Sequence, residues 1–372
     1  MSTLSRFAAA AVALSAVSAA QAQFYLLGPY DTPSSVTNSG IVAGYDDLGY
    51  FIWSAAGGHT PIGGAIPGQG TGGIPRISES GNKVGATHYD LDSGTTQIAS
   101  YDKASGLWTN YGGLGASSER SVSGGFGMNA SGSVQVGNAW VNPGTAHAIV
   151  VKDGAVTDLG SSVAGASSRA DAVSNDGSFI GGYQDMADGY RSAAVWINGT
   201  QQVLTLGGEP LQQVNGVSGD GQWAVGGGGY AANGSAFMWN RNTGLKLLDN
   251  PFFDAGYALT ATSVSFDGSV VVGYGEDIFF GRMGWIWTEA TGTISMEEYA
   301  MGLDGYSGEF LLAPLAVSQD GRNITGYGFN ADYSGYTGWM ISTPVPEPST
   351  WATFALGIGL LGFIGARRRR MA

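Results

Sequence analysis

The chain has no cysteine among 372 residues. Disulfides, thiol nucleophiles and cysteine-based metal centres are therefore excluded, and the fold must be held by its core and by backbone pairing. Histidine is nearly absent too. His59, His88 and His147 are the only three, widely spaced along the chain, so a centre built from two or more of them is not expected. Charged residues make up only 12%, with 16 basic against 29 acidic side chains. No Gly-x-Ser-x-Gly elbow and no P-loop occurs. Gly68-Gln69-Gly70-Thr71-Gly72-Gly73 fits Gly-x-Gly-x-x-Gly formally but lies between Pro67 and Ile74-Pro75, so it opens no helix. No catalytic residue, resident metal or cofactor is expected. The faint exception is Asp90-Leu91-Asp92-Ser93-Gly94, which echoes a calcium loop but lacks its further acidic ligands.

What is abundant is glycine, 63 residues, together with 11% aromatics. This composition is that of a turn-rich β protein. The ends of the chain differ from its body. Arg6 precedes an Ala/Val/Leu/Ser run from Ala8 to Ala20, and Ala20-Gln21-Ala22 forms a small-x-small site. This is a secretory signal peptide over residues 1–22, with cleavage before Gln23. At the other end, Val345-Pro346-Glu347-Pro348 leads into an apolar run from Trp351 to Ala366 and then Arg367, Arg368, Arg369 and Arg370. Sixteen apolar residues make a helix of about 24 Å, short against a hydrocarbon core of about 30 Å. Thr350 and the Arg367 stem extend it, and the arginines hold the cytoplasmic side.

Pro346, Glu347 and Pro348, the short apolar helix and the arginine cluster together resemble the PEP-CTERM sorting signal of Gram-negative bacteria, over residues 344–372. The resemblance implies an exported precursor anchored in the inner membrane, processed by an exosortase, and delivered to the outer surface or extracellular matrix in association with exopolysaccharide. Removing both end signals takes away five arginines, leaving 11 basic residues against 29 acidic ones before any loss of Glu347. Such an acidic body repels phosphate backbones, so nucleic acid is not an expected partner.

Residues 23–343 are a repeat. Four copies are clear. Each has a small strand ending at Ser174-Asn175-Asp176-Gly177, Ser218-Gly219-Asp220-Gly221, Ser265-Phe266-Asp267-Gly268 or Ser318-Gln319-Asp320-Gly321, then a Gly-containing strand, then a Trp-bearing one. Three weaker copies precede them, with turn glycines at 40, 81 and 132 and with Trp53, Tyr101 and Val151 at the Trp position. The period of about 41 to 53 residues is that of a four-stranded propeller blade. The expected fold is all-β, a propeller of seven four-stranded blades, with Asp-Gly type I′ hairpins and a Trp packed between neighbouring blades. His147-Ala148-Ile149 and Ala236-Phe237-Met238-Trp239 resemble bacterial HAF-type extracellular repeats, which are expected to be propeller-like. The last copy runs out of chain after its third strand, and Phe24 to Gly28 resembles a fourth strand, so the N-terminal segment is expected to complete the last blade.

The loops between second and third strands emerge on one face of a propeller. Their aromatic residues Tyr89, Trp140, Tyr190, Phe279, Phe280, Tyr333 and Tyr336 stand beside carboxylates and amides, a composition suited to glycan binding. The functional expectation is a structural or adhesive surface protein. The alternative is a carbohydrate-active enzyme, a glycosidase or lyase, using paired Asp and Glu.

Overall fold

The computed structural model describes residues 22–65, 72–277 and 281–343. The signal peptide up to position 21 and the sorting motif with its apolar run and arginines lie outside them, as do Phe279, Phe280 and most of the Gly68–Gly73 loop. Among the described residues no helix is long and apolar enough to cross a membrane.

The strands between Gln23 and Ser342 group into seven four-stranded antiparallel units, forming a β-propeller. Five stand as separate sheets, and units five and six are joined by one bridge, Gly227 to Thr260. The innermost strands are Thr32–Val36, Arg76–Ile77, Ser123–Met128, Ser168–Val173, Gln213–Val217, Ala258–Val264 and Phe310–Val317. In unit seven, Phe310–Val317, Asn323–Phe329 and Tyr336–Ser342 are followed outward by Gln23–Pro29. That N-terminal strand pairs antiparallel with Tyr336–Ser342, from Gln23 opposite Ser342 to Pro29 opposite Thr337. The first residues after the expected cleavage site thus supply the strand that the last repeat lacks.

Packing follows the same ring. Each junction between adjacent units holds its own apolar cluster. Trp196 of unit four sits with Val136 and Ala148 of unit three, and Trp339 of unit seven with Val272 and Ile286 of unit six. Trp53 of unit one packs with Ala316 and Met340 of unit seven and with Tyr25 and Leu27 of the closing strand. The third-strand aromatics are therefore the wedges between units. A large flat side chain fills a radial gap better than several small ones.

The seven turns after the innermost strands share one construction. Gly40, Gly81, Gly132, Gly177, Gly221, Gly268 and Gly321 all have φ between 68° and 81°, a region costly for any residue with a Cβ. The residues before them, Ser in the first three turns and Asp in the last four, do not share it, so these are not the expected two-residue I′ turns, which need φ > 0 at both central positions. Instead the Gly N–H closes on the carbonyl three residues earlier, as from Gly177 to Ser174 at 3.0 Å. The Ser174 hydroxyl accepts from Phe179 N–H at 3.1 Å and donates to Asp176 at 2.6 Å. Asp220, Asp267 and Asp320 accept from Ser218, Ser265 and Ser318 in the same way. The Ser174 hydroxyl chiefly holds the Asp176 carboxyl below the usual range, and hydrogen bonds from Ser269, more than that from Ser265, do the same for Asp267.

The turns are also bonded to one another around the ring. Asn38 N–H donates to the Glu79 carboxylate, Glu79 N–H to Ala130 and Ala130 N–H to the Asn175 side chain. Asn175 N–H then donates to Gly219, Asp220 N–H to Phe266, Phe266 N–H to Gln319 and Asp320 N–H to Asn38. Every junction is crossed at least once. Across the axis, the Asn175 and Gln319 amides exchange two hydrogen bonds of 2.8 and 2.9 Å. They narrow the channel at this end.

Two fourth strands end early. That of unit six ends at Ser295, because Ser295 caps a short helix, Met296–Ala300, accepting from Glu298 N–H at 3.1 Å. Ser-Met-Glu-Glu is a capping sequence with acidic residues in the first turn. The fourth strand of unit four ends at Val203, and Thr205–Leu206 pairs with Glu209–Pro210 as a separate hairpin.

Two predictions follow from this architecture. Deleting residues 23–28 should lower the melting temperature by roughly 10 °C or more; a thermal melt by circular dichroism checks it. Gly177→Ala should cost about 1–2 kcal/mol in chemical denaturation, whereas Gly335→Ala, with ordinary φ and open space around it, should stay within about 0.5 kcal/mol.

Candidate functional site at the propeller axis

Six of the seven innermost strands carry a bulge at one position. Pairing skips one residue between Pro33 and Ser35, Gly125 and Gly127, Ala170 and Ala172, Val214 and Gly216, Ala261 and Ser263, and Pro314 and Ala316. The residues skipped are Ser34, Phe126, Asp171, Asn215, Thr262 and Leu315, each six positions before its turn glycine. A bulge re-aims a side chain and leaves a backbone group unpaired. Here the neighbouring unit satisfies it. Arg76 donates to the carbonyls of Ser34 at 2.6 Å and Phe126 at 3.1 Å, Asn215 to that of Ala261 at 2.8 Å, and Thr262 to that of Pro314 at 2.8 Å.

The bulges shape a pocket of about 280 Å³ at the end of the axis where the innermost strands begin. This is the end bearing the loops between second and third strands, opposite the Asn175–Gln319 pair. A narrower cavity of about 120 Å³ lies between them. Three arginines reach the pocket, with Asp171 as the single carboxylate of its lining. Arg169 donates to Asp171 at 2.7 Å while its guanidinium lies 4.2 Å from the Phe126 ring centroid and 4.8 Å from that of Tyr183. Gln213 holds the other Asp171 oxygen at 3.1 Å. Burial raises the Asp171 carboxyl, with Arg169 opposing. Arg76 lies deep in the ring, which lowers its guanidinium to about 10, still charged at neutral pH. Arg282 donates to the Tyr327 hydroxyl at 2.6 Å, contacts Glu276 at 3.2 Å and stacks 4.4 Å over Tyr274. Burial raises Tyr45 and Tyr274, so their hydroxyls stay protonated and can donate.

The aromatic positions expected on this face are only partly gathered. Tyr333 and Tyr336 join Phe310 and Phe329 in a chain of ring contacts that reaches the pocket through Tyr327: Tyr327–Tyr336 6.3 Å, Tyr336–Phe329 4.1 Å, Phe329–Tyr333 6.0 Å and Tyr333–Phe310 4.1 Å. Tyr89, Trp140 and Tyr190 sit on units two, three and four, and among the described residues no ring contact joins them to that chain. Arg76 and Arg169 were not singled out in the sequence. The usable signal was the repeat phase itself: six and eight residues before the turn glycines stand Asp171 and Arg169 in unit four, Asn215 and Gln213 in unit five.

The three histidines fall on units one, two and three. His88 bonds Asn110 at 2.8 Å and stacks on Trp108, and His147 meets Asp158 at 3.0 Å. His59 stands with Asp31 and Asp46, the one group among the described residues arranged to hold a metal ion. In the Asp90 turn both carboxylate oxygens are used locally, by Asp92 N–H at 3.2 Å and the Ser93 hydroxyl at 2.7 Å.

Residues 344–370 match the PEP-CTERM protein-sorting motif. The chain is thereby marked as exported and transiently held at the membrane before exosortase processing. No curated protein matches. Some solved structures are similar to this chain at low identity. The β-propeller domain of the Trilobed protease from Pyrococcus furiosus is 11% identical, with TM-score 0.49, covering 85% of this chain and 94% of that one. TolB from Acinetobacter baumannii is 13% identical, with TM-score 0.44, covering 73% of this chain and 65% of TolB.

Asp171→Ala should strand the Arg169 charge in a buried site and destabilise the fold by about 3–5 kcal/mol. Urea denaturation of this variant beside Asp171→Asn, which keeps an acceptor for Arg169 and should cost less, checks the assignment.

Proposed function

We propose that the protein is a non-enzymatic structural or adhesive component of the cell surface or extracellular matrix, a HAF-type propeller that engages exopolysaccharide through its axial pocket. The observation that carries this reading is the charge contrast: three arginines against one carboxylate in the pocket of a chain whose formal net charge is −13. An acidic sugar unit, a uronate for example, supplies a carboxylate that guanidinium groups bind as forks. The tyrosine and amide walls offer hydroxyl partners, and the aromatic chain from Tyr327 to Tyr333 offers faces for the following sugar rings. Glycosidase chemistry requires two facing carboxyl groups, and this lining contains one.

Calorimetry with the full chain and acidic oligosaccharides tests the proposal. Binding should weaken with salt, and Arg282→Gln should weaken it by roughly 10- to 100-fold, the worth of a charged hydrogen bond. Equal binding of neutral and acidic sugars would contradict the pocket's role. Chain shortening or unsaturated products in the same samples would establish the alternative, a glycosidase or lyase.

The third strand of unit seven ends at Ser342, leaving only Thr343, Pro344 and Val345 before Pro346. So short a tether gives the propeller little reach from a membrane, and cleavage at the motif is a functional release step in this reading. Glu347→Ala should leave the protein in the membrane fraction. Its arrival in the matrix would reduce the tail to a simple anchor.

A further inference from the structure

The segment joining the closing strand to unit one contains a buried acid without a use. Asp31 follows Gln23–Pro29 and precedes Thr32–Val36, and it is only 4% exposed. Its Oδ2 has no hydrogen-bond partner, an arrangement that burial alone makes unfavourable. Its Oδ1 lies 3.5 Å from His59 Nε2. Asp46 closes the group: its Oδ1 accepts from Leu48 and Gly49 N–H at 2.7 and 3.0 Å, which leaves Oδ2 turned to His59 Nε2 at 3.4 Å. The His59 ring is fixed against Phe51, with centroids 4.4 Å apart. Burial, countered by His59 and reinforced by Asp46, pushes the Asp31 carboxyl up to about 6.

A protonated His59 bonded to both acids would bring nitrogen and oxygen to about 2.7–2.9 Å. The observed separations are longer. They match instead the edge of a tetrahedron of ligands around one ion: donors at about 2.0–2.2 Å from Zn²⁺ stand roughly 3.3–3.5 Å apart. The three donor atoms lie within 4.8 Å of one another, so a small inward turn of one carboxylate completes the set. Two carboxylates and one imidazole suit a borderline divalent ion better than Ca²⁺ or Mg²⁺, which take oxygen ligands.

We propose that Asp31, Asp46 and His59 bind a divalent transition-metal ion of the Zn²⁺ type, which clamps the end of the closing strand to unit one. Asp31 belongs to the linker that leaves the closing strand; Asp46 and His59 belong to the second and fourth strands of unit one. An ion on all three therefore spans the junction at which the ring is sealed. Ions that bind only the folded state raise its stability by mass action.

The test uses the full chain, stripped with chelator and titrated with Zn²⁺, Mn²⁺, Ca²⁺ and Mg²⁺ by calorimetry and thermal melting. One saturable Zn²⁺ site is expected, with weaker or no uptake of Ca²⁺ and Mg²⁺, and with a melting temperature that rises on saturation. Asp46→Asn keeps the turn to Leu48 and Gly49 while weakening a ligand, and His59→Gln changes a partly exposed side chain. Each should lower Zn²⁺ affinity more than tenfold and abolish the thermal shift. Asp31→Asn should do the same if it folds, and the other two variants carry the test if it does not. Absence of saturable Zn²⁺ or Mn²⁺ uptake, or unchanged affinity in both Asp46→Asn and His59→Gln, overturns the proposal.

Discussion

Seven units form a ring only if the last is joined to the first, and the pairing of Gln23–Pro29 with Tyr336–Ser342 makes that join. An open array would leave the Tyr336–Ser342 backbone as an unpaired edge and Trp339 without Phe24, which stacks beside it at 6.3 Å. The chain has no cysteine with which to staple such an edge. Closure between chain ends more than three hundred residues apart is entropically costly, and the apolar junctions and turn-to-turn bonds offset that cost only when all seven are present together. Loss of one junction therefore weakens the whole ring rather than one blade.

The same geometry produces the pocket. Radial packing crowds the innermost strands, and several of them are rich in Ser, Ala and Gly. In six of the seven units a bulge at a constant distance from the turn relieves the pairing and presents one side chain to the axis. At one end the turns bond into a belt and the Asn175–Gln319 pair narrows the channel. At the other end the pocket stays wide and collects Arg76, Arg169 and Arg282. A buried guanidinium needs acceptors, and the carbonyls freed by the bulges supply them for Arg76. The bulges of the ring thus also hold the Arg76 charge in place.

Much of this was legible in the sequence. The repeated Ser-x-Asp-Gly turns and third-strand aromatics identified the propeller and its phase, because turn glycines and inter-unit wedges are demanded locally in every copy. The missing strand of the last repeat was readable from the likeness of Phe24–Gly28 to a fourth strand. What escaped was set by position in the ring. Asp171 and Arg169 look ordinary in one copy and gain meaning only where seven copies converge. The aromatic loop residues gave the composition of a face but not its geometry: Tyr333 and Tyr336 lie together, whereas Tyr190 stands alone on unit four. The Met296–Ala300 helix, begun by the cap at Ser295, breaks the strand pattern of the repeat and was not foreseen. Asp31 is silent in sequence, since its burial depends on the closing strand folding back beside Gly338, whose position would place a Cβ 2.9 Å from Asp31 Cβ.

Amide hydrogen exchange on the strand Tyr336–Ser342 tests the central claim of closure most directly. In a ring sealed by Gln23–Pro29 these amides exchange only through global unfolding, as slowly as those of Phe179–Asp185 in the interior of unit four. If the amides of Tyr336–Ser342 that face Gln23–Pro29 exchange quickly while unit four stays protected, the ring is open and the closure described here is wrong.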